Sequence, residues 1–293
     1  MNNFSKNFPS ALLSEPLSIG GLKLYPINFN HNKLPFKIAT FDQLYDIEKV
    51  EANEIGDEGI VSKIQIFNKS DDYLVIFDGE AIIGAKQNRI SEQTVILLPN
   101  TKTVIPVNCV ERGRWNFRDE RKFSKSNFSA SPKMRSRKAE LLKEQRYENV
   151  QSQVWNEIDM LSEKVAYSSN TSDLGDVLKN RNTYKFNFNK ELINKLSCNG
   201  YLVFGTEKPF IELFFDKEIC KKQISKSIDS WFADIENGVE VPNKPEVYLE
   251  HFLNSNWDSD RSIGIETSFS SSRLNNGRST FLEGNFIHGY YFF

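Results

Sequence analysis

Gly59–Ile90 reads GIVSKIQIFNKSDDYLVIFDGEAIIGAKQNRI, and the fold class turns on this stretch. Apolar positions at Val61, Ile64 and Ile66 lead into a polar turn at Asn68–Asp72. Tyr73–Phe77 is then continuously apolar, and Asp78–Gly79 is a tight-turn signal. Gln93–Leu98 and Thr103–Val110 follow, divided by Pro99–Asn100. Closely spaced strands with no helix between them predict a meander with antiparallel pairing.

Working towards the amino terminus, Val50–Ile55 and the alternating Leu22–Ile27 read as further strands. Phe41–Tyr45, behind Thr40 as N-cap, reads as a short helix. Residues 1–16 open with a polar run and are expected to be disordered. Towards the carboxyl terminus, residues 116–133 (NFRDERKFSKSNFSASPK) are polar, basic and Ser-rich, and predict an extended loop. From Met134 to about Val165 the pattern is helical, with Val150, Val154, Trp155, Ile158 and Leu161 forming one stripe. Gly200–Phe215 is a second β segment. Asp216 then caps a long amphipathic helix carrying Ile219, Ile224, Ile228, Trp231, Phe232 and Ile235 on its apolar face, with Gly238 at its C-terminal cap. A short helix near 245–253 and several short strands complete the chain. The expected fold is α+β, without a parallel sheet. Residues 17–293 read as one domain, with a β-rich part to about 115, the basic loop 116–133 and a mixed C-terminal part.

Composition sets bounds on function. With 293 residues, 39% hydrophobic and 26% charged, the chain is globular in class and long enough for a substantial core. Its 23 Phe residues favour a core built partly on strands. The net charge of −2 hides an uneven distribution, since Arg112–Arg146 holds twelve Lys or Arg against four acids. That basic stretch suits an anionic partner, or docks a protein over residues 116–138, or is a solvated face. The acidic remainder disfavours nucleic acid. Cys109, Cys198 and Cys220 lack metal-ligand spacing, and with no signal-like apolar core at the amino terminus they predict a reducing, cytoplasmic setting. No apolar run suffices to span a bilayer.

Two polar constellations stand out. In DGEAIIGAKQNR (78–89), Glu80, Gln87, Asn88 and Arg89 offer carboxylate, amides and a guanidinium between glycines suited to tight turns. In PVNCVERGRW (106–115), a strand runs straight into Glu111, Arg112, Arg114 and Trp115, a set able to hold an anion and stack on a ring. Together they suit a phosphorylated or polyhydroxylated ring compound; equally, they suit an internal salt-bridge network that pins sheets together. For hydrolysis, Glu80 or Glu111 is the candidate general base, with His288 as candidate acid. His31, His251 and His288 show no metal spacing, so no metal is expected. Neither a nucleophile elbow nor a phosphate-cradling glycine loop is present, and no cofactor is implied.

DGEAIIGAKQNR, IPVNCVERGRW, the basic turn Met134–Arg137 that contains Arg135, Gln153-Val154-Trp155, Ser172–Leu174, and the ending from Gly277 through Gly284 to His288 resemble one family. It is named for its association with ADP-ribosylglycohydrolases and rhodanese-phosphatases, and the resemblance runs from about Leu17 to Phe292. FSSSRLNNGRS (269–279) departs from it where a more regular Gly-rich segment is expected. The resemblance implies a role in binding or processing ADP-ribose or another NAD-derived metabolite. Arg135 joins the ligand-binding candidates on the same ground.

Overall fold

The strands of the expected meander over 59–110 divide: four of them close into a barrel with two strands from outside that range, and two pair in a separate sheet. In a computed structural model, which describes residues 11–30, 33–117, 122–180, 190–236, 241–271 and 277–293, the chain forms two compact units. Each is discontinuous in sequence. One comprises residues 1–34, 184–261 and 267–293; the other comprises residues 35–183 and 262–266.

The first unit begins with β1 (Leu12–Leu13), β2 (Leu17–Ile19) and β3 (Leu22–Asn28). The chain then enters the second unit with β4 (Ile38–Thr40), α1 (Phe41–Asp46), β5 (Val50–Asn53), β6 (Lys63–Asn68) and β7 (Tyr73–Ile76). It continues through β8 (Glu80–Gly84), β9 (Arg89–Ser91), β10 (Val95–Leu97), β11 (Thr101–Cys109) and β12 (Lys122–Ser129). Helices α2 (Pro132–Lys143), α3 (Tyr147–Lys164) and α4 (Leu174–Lys179) follow. Back in the first unit come α5 (Lys190–Asn194), β13 (Gly200–Phe204), β14 (Phe210–Phe214), α6 (Lys217–Ala233) and α7 (Glu246–Asn254). The strands β15 (Trp257–Asp260), β16 (Thr267–Ser271), β17 (Gly277–Leu282) and β18 (Asn285–Phe292) end the chain.

In the second unit, β11, β6, β5, β12, β8 and β9 form a closed barrel, with β9 pairing back onto β11. Closure removes the sheet edges that a meander would leave bare. Ala52, Ile64, Ile66, Ile82, Ile105, Val107 and Phe123 belong to one buried core. A three-stranded sheet, β10-β7-β4, shares that core through Leu74, Ile76, Val95 and Leu97. Here the fold departs from the expectation of antiparallel pairing alone, because β4 runs parallel to β7. The intervening α1 and the β5–β6 hairpin supply the long crossover that a parallel pair needs. Thr40 caps α1 through a reciprocal bond with Gln43, as its position suggested.

Residues 122–129 lie in a strand, not in the extended loop that composition predicted. Phe123 and Phe128 are buried there, while Lys122 and Lys125 reach outward to Glu51 and Asp46. A barrel strand needs only one apolar face, so charges on the other face disguised it. The helical stretch from 134 is also two helices, broken at Gln145, whose φ of 58° no helix continues. Of the segment expected to be disordered, Leu12 and Leu13 pair with β3, and residues 1–10 lie outside the described residues.

The first unit is a nine-stranded antiparallel sheet in the order β1-β3-β13-β14-β18-β17-β16-β15, with β2 on β3. Both of its faces are covered, which explains why every residue of β13 and β14 is buried. Trp231 of α6 packs on Tyr201 and Phe210 at ring separations of 4.9 and 5.4 Å. On the alternate face, Leu249 and Phe252 of α7 join Leu202, Phe204, Ile211 and Leu213. Asp216 caps α6 by accepting from the Ile219 N–H, and Gly238 falls outside the described residues. No described helix is long and apolar enough to cross a membrane.

Candidate functional site

DGEAIIGAKQNR is the turn into β8, the strand itself, and a four-residue tip leading to β9. Gly79 (φ 75°) lets the Arg135 side chain pass, since an added Cβ would meet its Cδ at 2.9 Å. Gly84 (φ 113°) has the Lys122 carbonyl where a Cβ would sit, again at 2.9 Å. Ala85 is held at φ 41° although it is not glycine, a local strain that the surrounding bonds must hold in place. Asn88 closes the tip by accepting from the Gly84 N–H at 2.9 Å, and its amide donates to Asp173.

CVERGRW meets this tip at Glu111. One Glu111 oxygen accepts from Arg114 Nε (2.8 Å) and Thr171 Oγ1 (3.2 Å), the other from Arg114 Nη2 (2.6 Å) and the Asn88 N–H (3.1 Å). Its carbonyl accepts from Gln87 Nε2 at 3.0 Å. Arg114 also donates to the carbonyls of Ala85 and Asn116, at 2.6 and 2.8 Å, which holds the strained turn. Gly113 lies so close to Thr171 that a Cβ would fall 2.9 Å from its Cα. Burial raises the Asp173 pKa against the opposing bonds from the Asp176 N–H and Asn88.

Arg89 is different. It is fully buried, yet only Nη1 has hydrogen-bond acceptors, Gln87 Oε1 at 3.1 Å and the Asn88 carbonyl at 3.4 Å. Among the described residues, Nε and Nη2 have none, and neither does Glu54 Oε2. Glu54 Oε1 is 3.7 Å from Nη2. Trp115, 37% exposed, lies over the guanidinium with 5.6 Å from ring centre to Cζ, and Lys86 Nζ is 5.3 Å from the same ring. Burial pulls the Arg89 pKa below the usual arginine value, and burial pushes the Cys109 thiol on the facing strand up.

A second buried charge group stands at the start of the same motif. Lys138 of α2 donates to Asp78 Oδ1 at 2.5 Å and to the Ser91 carbonyl at 2.9 Å, and Arg135 Nε is 3.8 Å from the same Asp78 oxygen. Glu80 accepts from the Phe77 N–H at 3.0 Å and so secures its own turn. Burial lowers the Lys138 pKa although Asp78 opposes it.

The structure therefore brings Gln87, Asn88, Arg89, Glu111, Arg114 and Trp115 together, and sets Glu80 and Arg135 around Asp78. Arg112 is not among them: it is paired with Asp159 by two bonds of 3.1 Å and lies over the Trp155 ring. His288 belongs to the other unit, buried and bonded to Glu212 at 2.8 Å, with Tyr201 donating to the same carboxylate. His251 meets the Tyr291 hydroxyl, and His31 lies outside the described residues. Sequence reading missed Glu54, Asp78 and Lys138 as members of the polar cluster. Glu54 merely follows a strand, and Asp78 and Lys138 meet only because α2 packs against the turn. An open groove of about 490 Å³ elsewhere on this unit, bordered by Tyr45, Glu51, Lys69 and Phe123, is lined by none of the predicted residues.

No curated protein and no solved structure matches this chain. A family model does, over residues 11–292, so that both constellations lie within the match. The chain belongs to the ARG and Rhodanese-Phosphatase-superfamily-associated Protein domain family.

Proposed function

We propose that the barrel unit binds an anionic, ring-bearing small molecule of nucleotide type, with ADP-ribose or another NAD-derived metabolite as the candidate class. Arg89 carries the reading: a fully buried guanidinium with two nitrogens lacking hydrogen-bond partners among the described residues, beneath a half-exposed Trp115. A buried donor left unsatisfied costs about 1–3 kcal/mol, more when charged. A phosphate oxygen would satisfy those nitrogens, a ligand hydroxyl would satisfy Glu54 Oε2, and Trp115 would stack on the ring. The family's name, which records an association and not an activity, agrees with this class. Glu111 and Arg114 serve as the frame that holds the tip.

A thermal-shift series with ADP-ribose, NAD, AMP and simple sugar phosphates tests the proposal. A ligand at a hundred times its dissociation constant should stabilise the protein by about 2.7 kcal/mol. Trp115→Ala should weaken that shift while leaving the unliganded melting temperature nearly unchanged, and Arg89→Lys should remove it. A second reading, an internal network with no ligand, is favoured by one observation: both Glu111 oxygens are already taken by protein donors. It predicts no shift with any of the compounds, and that result would sink the first reading.

A further inference from the structure

Cys198 and Cys220 meet inside the first unit with their sulfurs 4.0 Å apart, both buried. Cys198 stands just ahead of β13, where Asn199 donates to the Ile27 carbonyl (2.9 Å) and accepts through its own carbonyl from the Phe214 N–H (2.7 Å). Cys220 sits in the first turn of α6, four residues after the capping Asp216. The Cys220 N–H donates to the Asp216 carbonyl at 3.0 Å, and the two facing thiols are free.

We propose that Cys198 and Cys220 form a redox-modification site, a dithiol that reduces a hydroperoxide and closes to an internal disulfide bridging the entry to β13 and the start of α6. The pair is asymmetric. The hydrogen bond from Cys220 holds the Cys198 thiol below the usual cysteine range, with Lys217 contributing in the same direction, whereas burial pushes Cys220 well above it. Cys198, just ahead of β13 and the less deeply buried of the two, is assigned the attacking role, and Cys220, fully buried in α6, the resolving one. In the first step the Cys198 thiolate attacks one oxygen of hydrogen peroxide; an S–O bond forms, the O–O bond breaks, and hydroxide leaves to become water. In the second step Cys220 attacks that sulfur as its own proton is released. The S–S bond forms, the S–O bond breaks, and the departing hydroxide takes a proton to give a second water. Two thiols are oxidised by two electrons and one peroxide is reduced to two waters. The sulfurs must approach by about 2 Å to reach bonding distance.

Cys109 is the internal control, since it has no cysteine partner among the described residues and burial raises its pKa. The test is to expose the reduced full-length protein to a modest excess of hydrogen peroxide, quench, denature and alkylate without reductant. The expected result is that one of the three cysteines, Cys109, still alkylates, that both others return after dithiothreitol, and that a peptide pair linking Cys198 to Cys220 is found. In Cys220→Ser the peroxide should instead leave a sulfenic acid on Cys198 that dimedone traps. Three alkylatable thiols after oxidation, loss of Cys109 first, or loss that reductant does not reverse would each overturn the proposal. Mapping the wild-type protein decides the question even if Cys220→Ser does not fold.

Discussion

Arg114, a candidate ligand-binding residue in sequence, meets acceptors of the protein itself in three dimensions. It binds Glu111 through two nitrogens and holds the carbonyl of Ala85, whose left-handed backbone would otherwise relax. Arg114→Ala leaves Glu111 buried without its cation, and a broken buried pair typically costs about 3–5 kcal/mol; urea unfolding should register that loss. The Asp78–Lys138 pair gives a sharper comparison. Lys138→Met alone takes from Asp78 its nearest cation, leaving Arg135 at 3.8 Å, and should be costly, whereas Asp78→Asn with Lys138→Met should recover most of the loss in a double-mutant cycle. The same lysine predicts a pH dependence. Burial lowers its folded pKa, so between that value and about 10.4 the unfolded chain binds more protons and stability rises with pH. Below that window both states are protonated and the buried charge carries its full cost. The rise should vanish in the double variant, as chemical denaturation at successive alkaline pH values can show.

At the scale of elements, the β8–β9 tip depends on backbone shapes that side chains resist. Gly84→Ala would place a Cβ 2.9 Å from the Lys122 carbonyl at a φ of 113°, and should lower stability by about 1–3 kcal/mol, read from the melting temperature. The glycines of this motif were legible in the sequence because tight turns leave few alternatives. So were the Thr40 cap, the Asp216 cap and most strands, since each is set by residues close in the chain. The β12 strand was not, because KFSKSNFS hides two buried phenylalanines among serines and lysines whose partners, Glu51 and Asp46, are more than seventy residues away. The site divides in the same way. Gln87, Asn88, Arg89, Glu111 and Arg114 could be picked out as a polar run, but Glu54 and Lys138 join through packing that local patterns do not encode. Arg112 and His288 do not join these residues, as one pairs with Asp159 and the other lies in the other unit.

At the scale of the molecule, the interleaving of the two units has its own weak point. Residues 262–266 return to the barrel unit, where Ile265 donates to the Ile96 carbonyl and covers the open edge of β10. Glu266, buried, accepts there from the Ile96 and Ile263 N–H groups, at 3.2 and 3.1 Å. Glu266→Ala leaves both donors short of an acceptor and should cost roughly 2–4 kcal/mol by the usual penalty for buried groups, with amide exchange at Ile96 speeding up first.

That interleaving also imposes an order on biosynthesis. The hydrogen bond from Phe29 to Asn199 spans 170 residues, and β3 finds its neighbour β13 across the same interval. At 5–20 residues per second, ribosomes need roughly 10–30 s to make that much chain. Meanwhile β1 and β2 can shield one side of β3, while its other side, a row of unpaired amides and carbonyls, stays open to any passing strand. Almost all of the barrel unit emerges during that wait and can fold inside it. The half-made amino-terminal meander is thus the segment most exposed to mispairing in a crowded cell, and the place where a chaperone would matter most.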